Sequence, residues 1–308
     1  MERINISELS KAYEEPRGYS TKYWVTSPTK RLIKYNDVTS PDADVMESLA
    51  ATILNSLHID SVNARLGINT NGSQLDSLGI TDPNCCIIDS FLVDDADVTI
   101  SLTHNRWART SANDEQKNID RCFYRVFSIF GNLMGISEDE IAMMKGQYIR
   151  MVFGDCIIDN EDRRLKNIEA IYNERRFCYR LAPSFDNALA FNAFNIGSNE
   201  GYCYIGNQEF PVYSIIDYIM QHHYPIVDDV VQNLDYLASQ GIESILSEYN
   251  NEIAPEKSEF IYDYVKSTNE KVQSCMPFNA HKKRRWFAFF VYKEKTTINL
   301  YRGGIIWV

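Results

Sequence analysis

The period of the apolar residues changes once along this chain, near residue 93, and that change limits the folds open to it. Before it, short β-branched and aromatic runs are separated by turn residues. Residues 19–35 are predicted as a hairpin, with Tyr23-Trp24-Val25 in one strand, Ser27-Pro28-Thr29-Lys30 in the turn and Arg31 to Tyr35 in the return strand. Further strands are predicted over 61–69 and 84–92. One helix interrupts them over 42–57: Ser40-Pro41-Asp42 supply start signals, and Val45, Met46, Leu49, Ala50, Ile53, Leu54 and Leu57 follow helical spacing. After residue 93 the helical period takes over, at 114–134, 137–153, 212–222, 226–239 and 255–273. A strand-rich beginning followed by a helix-rich remainder predicts an α+β, two-lobed architecture. Residues 1–92 form the small lobe, residues 93–308 the larger helical lobe, and the acidic stretch from Asp94 to Asp97 connects them. The apolar, aromatic segment from Trp286 to Val308 is predicted to form strands.

Charge and composition narrow the function classes. The net charge of −11 opposes binding to a phosphate backbone, so nucleic acid is not expected as the main partner. The basic run Lys282 to Arg285 reads as a solvated face. No apolar run approaches the roughly 18 residues a membrane helix needs. The opening Met-Glu-Arg-Ile-Asn lacks the basic-then-apolar pattern of a secretory signal. Seven cysteines, an odd number without CxxC pairs, imply reduced thiols and a reducing compartment such as the cytoplasm. Five histidines are too dispersed for a metal cluster, and His222 and His223 point in different directions on one helix.

Against this background one stretch stands out. The apolar residues Met151-Val152-Phe153 and Cys156-Ile157-Ile158 lead into Asp159-Asn160-Glu161-Asp162-Arg163-Arg164-Leu165-Lys166-Asn167. A polar loop leaving a buried helix is where a rigid scaffold presents catalytic groups. Asp162 and Asn167 have the spacing of the protein-kinase catalytic loop, in which the Asp takes the substrate hydroxyl proton and the Asn holds magnesium. A second piece follows: the strand-like Tyr179-Arg180-Leu181, then Ala182-Pro183-Ser184-Phe185-Asp186-Asn187. It sets a carboxylate just past a strand, where a kinase places its second magnesium ligand. Upstream, Gly18-Tyr19-Ser20-Thr21-Lys22 could fold over phosphates through backbone N–H groups. Lys34 ends the return strand and Glu47 flanks the apolar stripe of the following helix, so the two could pair. Each piece alone reads more simply as solvated charge. Their order along the chain is what favours a kinase.

These residues resemble the HipA-like serine/threonine kinases, and among them the compact single-chain CtkA type. That family reads Gly-Asn-x-Asp-Arg-His-x-x-Asn and later Ala-Pro-x-x-Asp; the present chain has Asp159 at the Gly position and Arg164 at the His position. The resemblance implies Asp162 as catalytic carboxylate, with Arg164 on the γ-phosphate in place of the histidine. It also implies Asn167 and Asp186 as Mg2+ ligands, Lys34 on the phosphates of ATP, and Glu47 orienting Lys34. Gly18, Ser20, Thr21 and Lys22 would lie over the phosphates, and Asp89 and Phe91 beside the adenine at the connector. It further implies serine/threonine specificity, autophosphorylation at Ser20 or Thr21, and either an antitoxin-like regulatory partner or delivery into a host cell as an effector. Two other readings stay open: a nucleotide- or partner-binding pseudokinase, and a kinase of a lipid or small molecule.

Overall fold

The computed structural model describes residues 2–9, 21–25, 29–36, 40–103, 114–198 and 200–277. Gly18, Ser20, the basic run at 282–285 and the segment 286–308 lie outside the described residues.

The first part of the chain builds a five-stranded sheet from β1 (Ile4–Asn5), β2 (Lys22–Val25), β3 (Arg31–Tyr35), β4 (Ala64–Ile68) and β5 (Asn84–Asp89), in the order β1-β4-β5-β3-β2. Only β1 runs parallel to its neighbour. Register explains which side chains turn toward α1. Tyr23 lies opposite Ile33 and Lys22 opposite Lys34. Because successive side chains alternate between faces, Tyr23, Ile33 and Tyr35 go to one side while Lys22 and Lys34 go to the other. The first face closes with Cys85 and Ile87 into a small apolar cluster under α2 (Gly72–Leu78). The second face carries the two lysines toward α1 (Ala43–Ser56).

Helix α1 belongs to two packing layers. Ala51 sits with Cys86 and Ile88 of the sheet. Leu49, Ile53, Leu54 and Leu57 enter the large core with Val152, Phe153 and Cys156 of α4 (Glu138–Ile157). The start of α4 is fixed by a capping box, in which Ser137 and Glu140 satisfy each other's backbone N–H groups. Near its other end Gly154 lets α1 approach. A Cβ there would lie 2.7 Å from Leu54 Cδ2 and 2.8 Å from Ile59 Cδ1. Gly154→Ala should therefore destabilise by about 1–2 kcal/mol, overpacking outweighing the helix-propensity gain. Urea unfolding checks this, and a midpoint equal to or above that of the parent would show the approach has slack.

Around α4 pack α3 (Glu115–Gly131), α6 (Val212–His222), α7 (Tyr224–Tyr236) and α9 (Pro255–Ser274). Helix α7 passes through a π turn at Leu237–Gly241 into α8 (Ile242–Glu248). The larger part is not purely helical. A three-stranded sheet of β6 (Asp97–Ser101), β7 (Glu169–Asn173) and β8 (Cys178–Leu181), a short helix α5 (Asn192–Ile196) and a hairpin of β9 (Tyr202–Ile205) and β10 (Gln208–Pro211) also belong to it. Polar residues at both ends of β6 and β7, such as Asp97 and Asn173, leave too few apolar positions for alternation to reveal. All seven cysteines are free thiols. Among the described residues no helix is long and apolar enough to cross a membrane.

Candidate active site

Helix α4 ends at Ile157, buried, and the chain turns sharply at Asp159, whose φ is +48°. This left-handed conformation favours glycine and tolerates aspartate better than bulkier residues, which accounts for the family's glycine here. The Asp159 side chain is buried, and its Oδ2 accepts a 2.6 Å hydrogen bond from the Ala193 N–H. It also fills the space over Gly201, where a Cβ would collide with its carboxyl. Burial pushes the Asp159 carboxyl up to about 7.

The sign of the resulting pH effect follows from linkage. Between the ordinary carboxylate value of 3.8 and about 7, the folded state holds a proton that the unfolded state has released. Stability is thus full below the lower value and falls as pH rises through the window, on the order of 1.4 kcal/mol per unit at most. Asp159→Asn keeps an acceptor and tolerates the positive φ. It should flatten this dependence, melting higher than the parent at pH 8 and alike near pH 4. Thermal unfolding followed by circular dichroism across that range tests it, and a parent protein that gains stability from pH 5 to 7 while Asp159→Asn does not would contradict the assignment.

Three residues on, Asp162 is largely shielded and gathers cations and donors. Its Oδ2 accepts from Lys166 Nζ at 2.8 Å and from Asn167 Nδ2 at 3.1 Å, and Arg164 Nε lies 3.7 Å from Oδ1. Asn167 Nδ2 also donates to the Asp162 carbonyl at 2.8 Å. With the amide nitrogen so engaged, the Asn167 Oδ1 is the end left for a cation. Arg164 reaches outward, its guanidinium 4.5 Å from the Tyr204 ring centroid and bonded to the Tyr204 hydroxyl at 2.9 Å. The β9–β10 hairpin also holds the loop directly, since Asn207 Oδ1 accepts from the Leu165 N–H at 3.1 Å.

Past β8 the chain turns again at Asp186, φ +58°. Asp186 Oδ1 pairs with Lys34 Nζ at 2.5 Å, and Lys34 Nζ meets Glu47 Oε2 at 3.2 Å. Glu47 is fully buried, and its Oε1 accepts from the Asn187 N–H at 2.9 Å. One helix glutamate therefore holds both the strand lysine and the loop that carries Asp186. Burial alone would lower the Lys34 value, but the two carboxylates outweigh it and hold the ammonium above its ordinary range. Burial opposes ionisation of Asp186 as well, yet Lys34 keeps that carboxyl below its usual value. Lys22 lies on the same face; burial lowers its value, against the pull of Asp186.

Among the described residues no three His, Cys, Asp or Glu side chains gather to hold a metal. The candidate ligands are instead an amide oxygen and a carboxylate oxygen, Asn167 Oδ1 and Asp186 Oδ2. These are hard donors that suit magnesium with phosphate completing the shell.

The residue that sequence reasoning left without a role is Arg163. It is wholly buried, as is its partner Asp155 at 3.1 Å on the last turn of α4. Its Nη1 donates to the Asn167 carbonyl at 3.1 Å and to the Phe185 carbonyl at 2.5 Å, so the loops of Asn167 and Asp186 lie side by side on one nitrogen. A charge-dense loop reads as solvated, and only the apolar residues before it hinted at burial.

The expected adenine neighbours are placed differently from each other. The Asp89 carboxylate is engaged by Arg31, Arg65 and Asn63, which fasten β3, β4 and β5 together. Phe91 stacks on Phe185 with ring centroids 5.5 Å apart, next to Asp186. Thr21 is exposed, and Lys22 beside it interacts with the Asp186 and Glu47 carboxylates.

No family model matches the sequence, and no curated protein matches it. Solved structures do. The Helicobacter pylori proinflammatory kinase CtkA superposes with a TM-score of 0.61 at 15% identity, over 93% of this chain and 99% of that one. The chain has the fold of the HipA-like kinases. HipA of the Shewanella oneidensis MR-1 toxin–antitoxin system, solved with HipB and operator DNA, matches with a TM-score of 0.51 at 10% identity, over 87% of this chain and 66% of that one. The HipA-like fold agrees with the α+β, two-lobed expectation and with the resemblance read from the loop residues.

Proposed function

We propose that this chain is an ATP- and Mg2+-dependent protein kinase that transfers the γ-phosphoryl group to a serine or threonine hydroxyl. The observation that carries the reading is the Lys34–Glu47–Asp186 chain of ion pairs beside the Asp162–Asn167 pair, on one HipA-like scaffold. In this reading Lys34 and Lys22 neutralise the phosphates, and Glu47 keeps Lys34 aimed at them. The base lies at the connector, against Phe91 and Phe185, with Asp89 holding the strands that frame it. Asp162 accepts the hydroxyl proton as the oxygen attacks the γ-phosphorus and the bond to the ADP oxygen breaks in line. Bound magnesium, held by Asn167 and Asp186, would supply charge neutralisation on the phosphate oxygens. Lys166 and Arg164 flank the Asp162 carboxylate, and Arg164 would have to turn from Tyr204 to meet a γ-phosphate.

The HipA neighbour was solved with HipB, and a regulatory protein partner is proposed here on that likeness. The net charge of −11 speaks against direct binding to DNA. Incubation with labelled ATP and magnesium, alone and with a cell lysate, should put label on serine or threonine of this chain or of a lysate protein. Nucleotide binding with no label anywhere would favour the pseudokinase reading, and label recovered only in lipid or small metabolites would favour the other.

A further inference from the structure

We propose that Arg163 is a positioning residue that sets the spacing between Asn167 and Asp186, and with it the affinity of the site for its divalent ion. The inference rests on the kinase reading above. Arg163 touches no position a substrate could occupy, because its side chain has no solvent exposure. Its N–H donors are instead divided between the two loops and Asp155. Nη1 holds the Asn167 and Phe185 carbonyls. Nη2 donates to Ser184 Oγ at 2.6 Å and to Asn187 Oδ1 at 2.5 Å. Nε closes on Asp155. The contacts thus fall on Asn167 itself and on the residues just before and after Asp186. Nη1 bridges the two backbones while Nη2 and Nε fix the plane of the guanidinium fork against Ser184, Asn187 and Asp155, a set of contacts that a lysine, with one nitrogen, cannot all keep. Since α4 sets Asp155 within the large apolar core, the ruler is tied to that core.

Removing Arg163 alone would strand the Asp155 carboxylate in the core and could simply unfold the chain. The test therefore uses two variants of the full chain, Arg163→Lys and the double variant Arg163→Met with Asp155→Leu, which removes both charges together. Circular dichroism and thermal unfolding first establish which of them folds. Mn2+ binding with a non-hydrolysable ATP analogue is then measured by electron paramagnetic resonance, which needs no turnover. The expected result is a 10–100-fold weaker Mn2+ affinity in a folded variant, as for other residues that orient metal ligands. Its affinity for the analogue without metal should stay close to that of the parent. A folded variant with unchanged Mn2+ affinity overturns the role of Arg163 and leaves the kinase reading standing. A parent protein that binds neither Mn2+ nor nucleotide overturns both.

Discussion

Asp162→Ala is expected to lower phosphoryl transfer by about 10²–10⁴-fold, the usual contribution of a positioned general base, while ATP affinity changes only a few-fold. The separation follows from the local geometry. Asp162 contacts Lys166, Asn167 and Arg164 but belongs to a different loop from the Lys34–Glu47–Asp186 chain. Its loss leaves the proposed phosphate contacts of Lys34 intact. Asn167 would lose one acceptor and keep the other, the residue 162 carbonyl, because that bond is made by the backbone. Single-turnover transfer measured beside nucleotide binding separates the two effects. Full transfer by Asp162→Ala would remove the central assignment. A collapse of ATP binding would show instead that the carboxylate shapes the nucleotide site. Asp162→Asn is the sharper companion, since it preserves shape and hydrogen-bond acceptance while abolishing proton uptake.

Much of the frame could be read from residue pattern, and the reason lies in which elements repeat long enough to show a period. Helix α1 shows its stripe over 14 residues. Alternation along the β2–β3 pair sends Tyr23, Ile33 and Tyr35 to one face and Lys22, Trp24, Leu32 and Lys34 to the other, which puts Lys34 on the side of α1. The strands β6, β7 and β10 carry polar residues at one or both ends, and β9 is apolar throughout, so none shows a clean alternation. Gly206-Asn207, with Gly206 at φ +65°, was a usable turn signal for the last pair. In the site, residue types at fixed offsets along one loop were legible, as with Asp162 and Asn167. Contacts across loops were not. Nothing in the string Asp162-Arg163-Arg164 distinguishes the arginine that is buried against Asp155 from its neighbour, which stacks on Tyr204 in the open. Likewise a glutamate flanking an apolar helix face reads as exposed. The pairing with Lys34 is expected from the strand and helix positions, but only the fold brings the Asn187 N–H onto Glu47 and excludes water from it.

That burial makes Glu47 the position with the largest expected effect on both stability and nucleotide use. Glu47→Ala removes the acceptor of the Asn187 N–H and one of two carboxylates facing a nearly buried ammonium. Breaking a buried ion pair from one side typically costs 3–5 kcal/mol; because Asp186 remains beside Lys34, the lower end, about 3 kcal/mol, is expected here. Losing its hold from α1, Lys34 would pair with Asp186 alone and draw that carboxylate away from the divalent ion, so the apparent affinity for Mg-ATP should fall along with stability. Asp186→Asn provides the contrast. The Asp186 side chain is about a third exposed, at 34%, and Glu47 continues to satisfy Lys34, so stability should change by less than about 1 kcal/mol. Metal-dependent transfer should nevertheless be lost. Urea unfolding together with Mg-ATP titration of both variants distinguishes the two roles. If Glu47→Ala unfolds at the same urea concentration as the parent, the glutamate is not holding the lysine and the loop together, and the electrostatic chain from α1 to Asp186 fails with it.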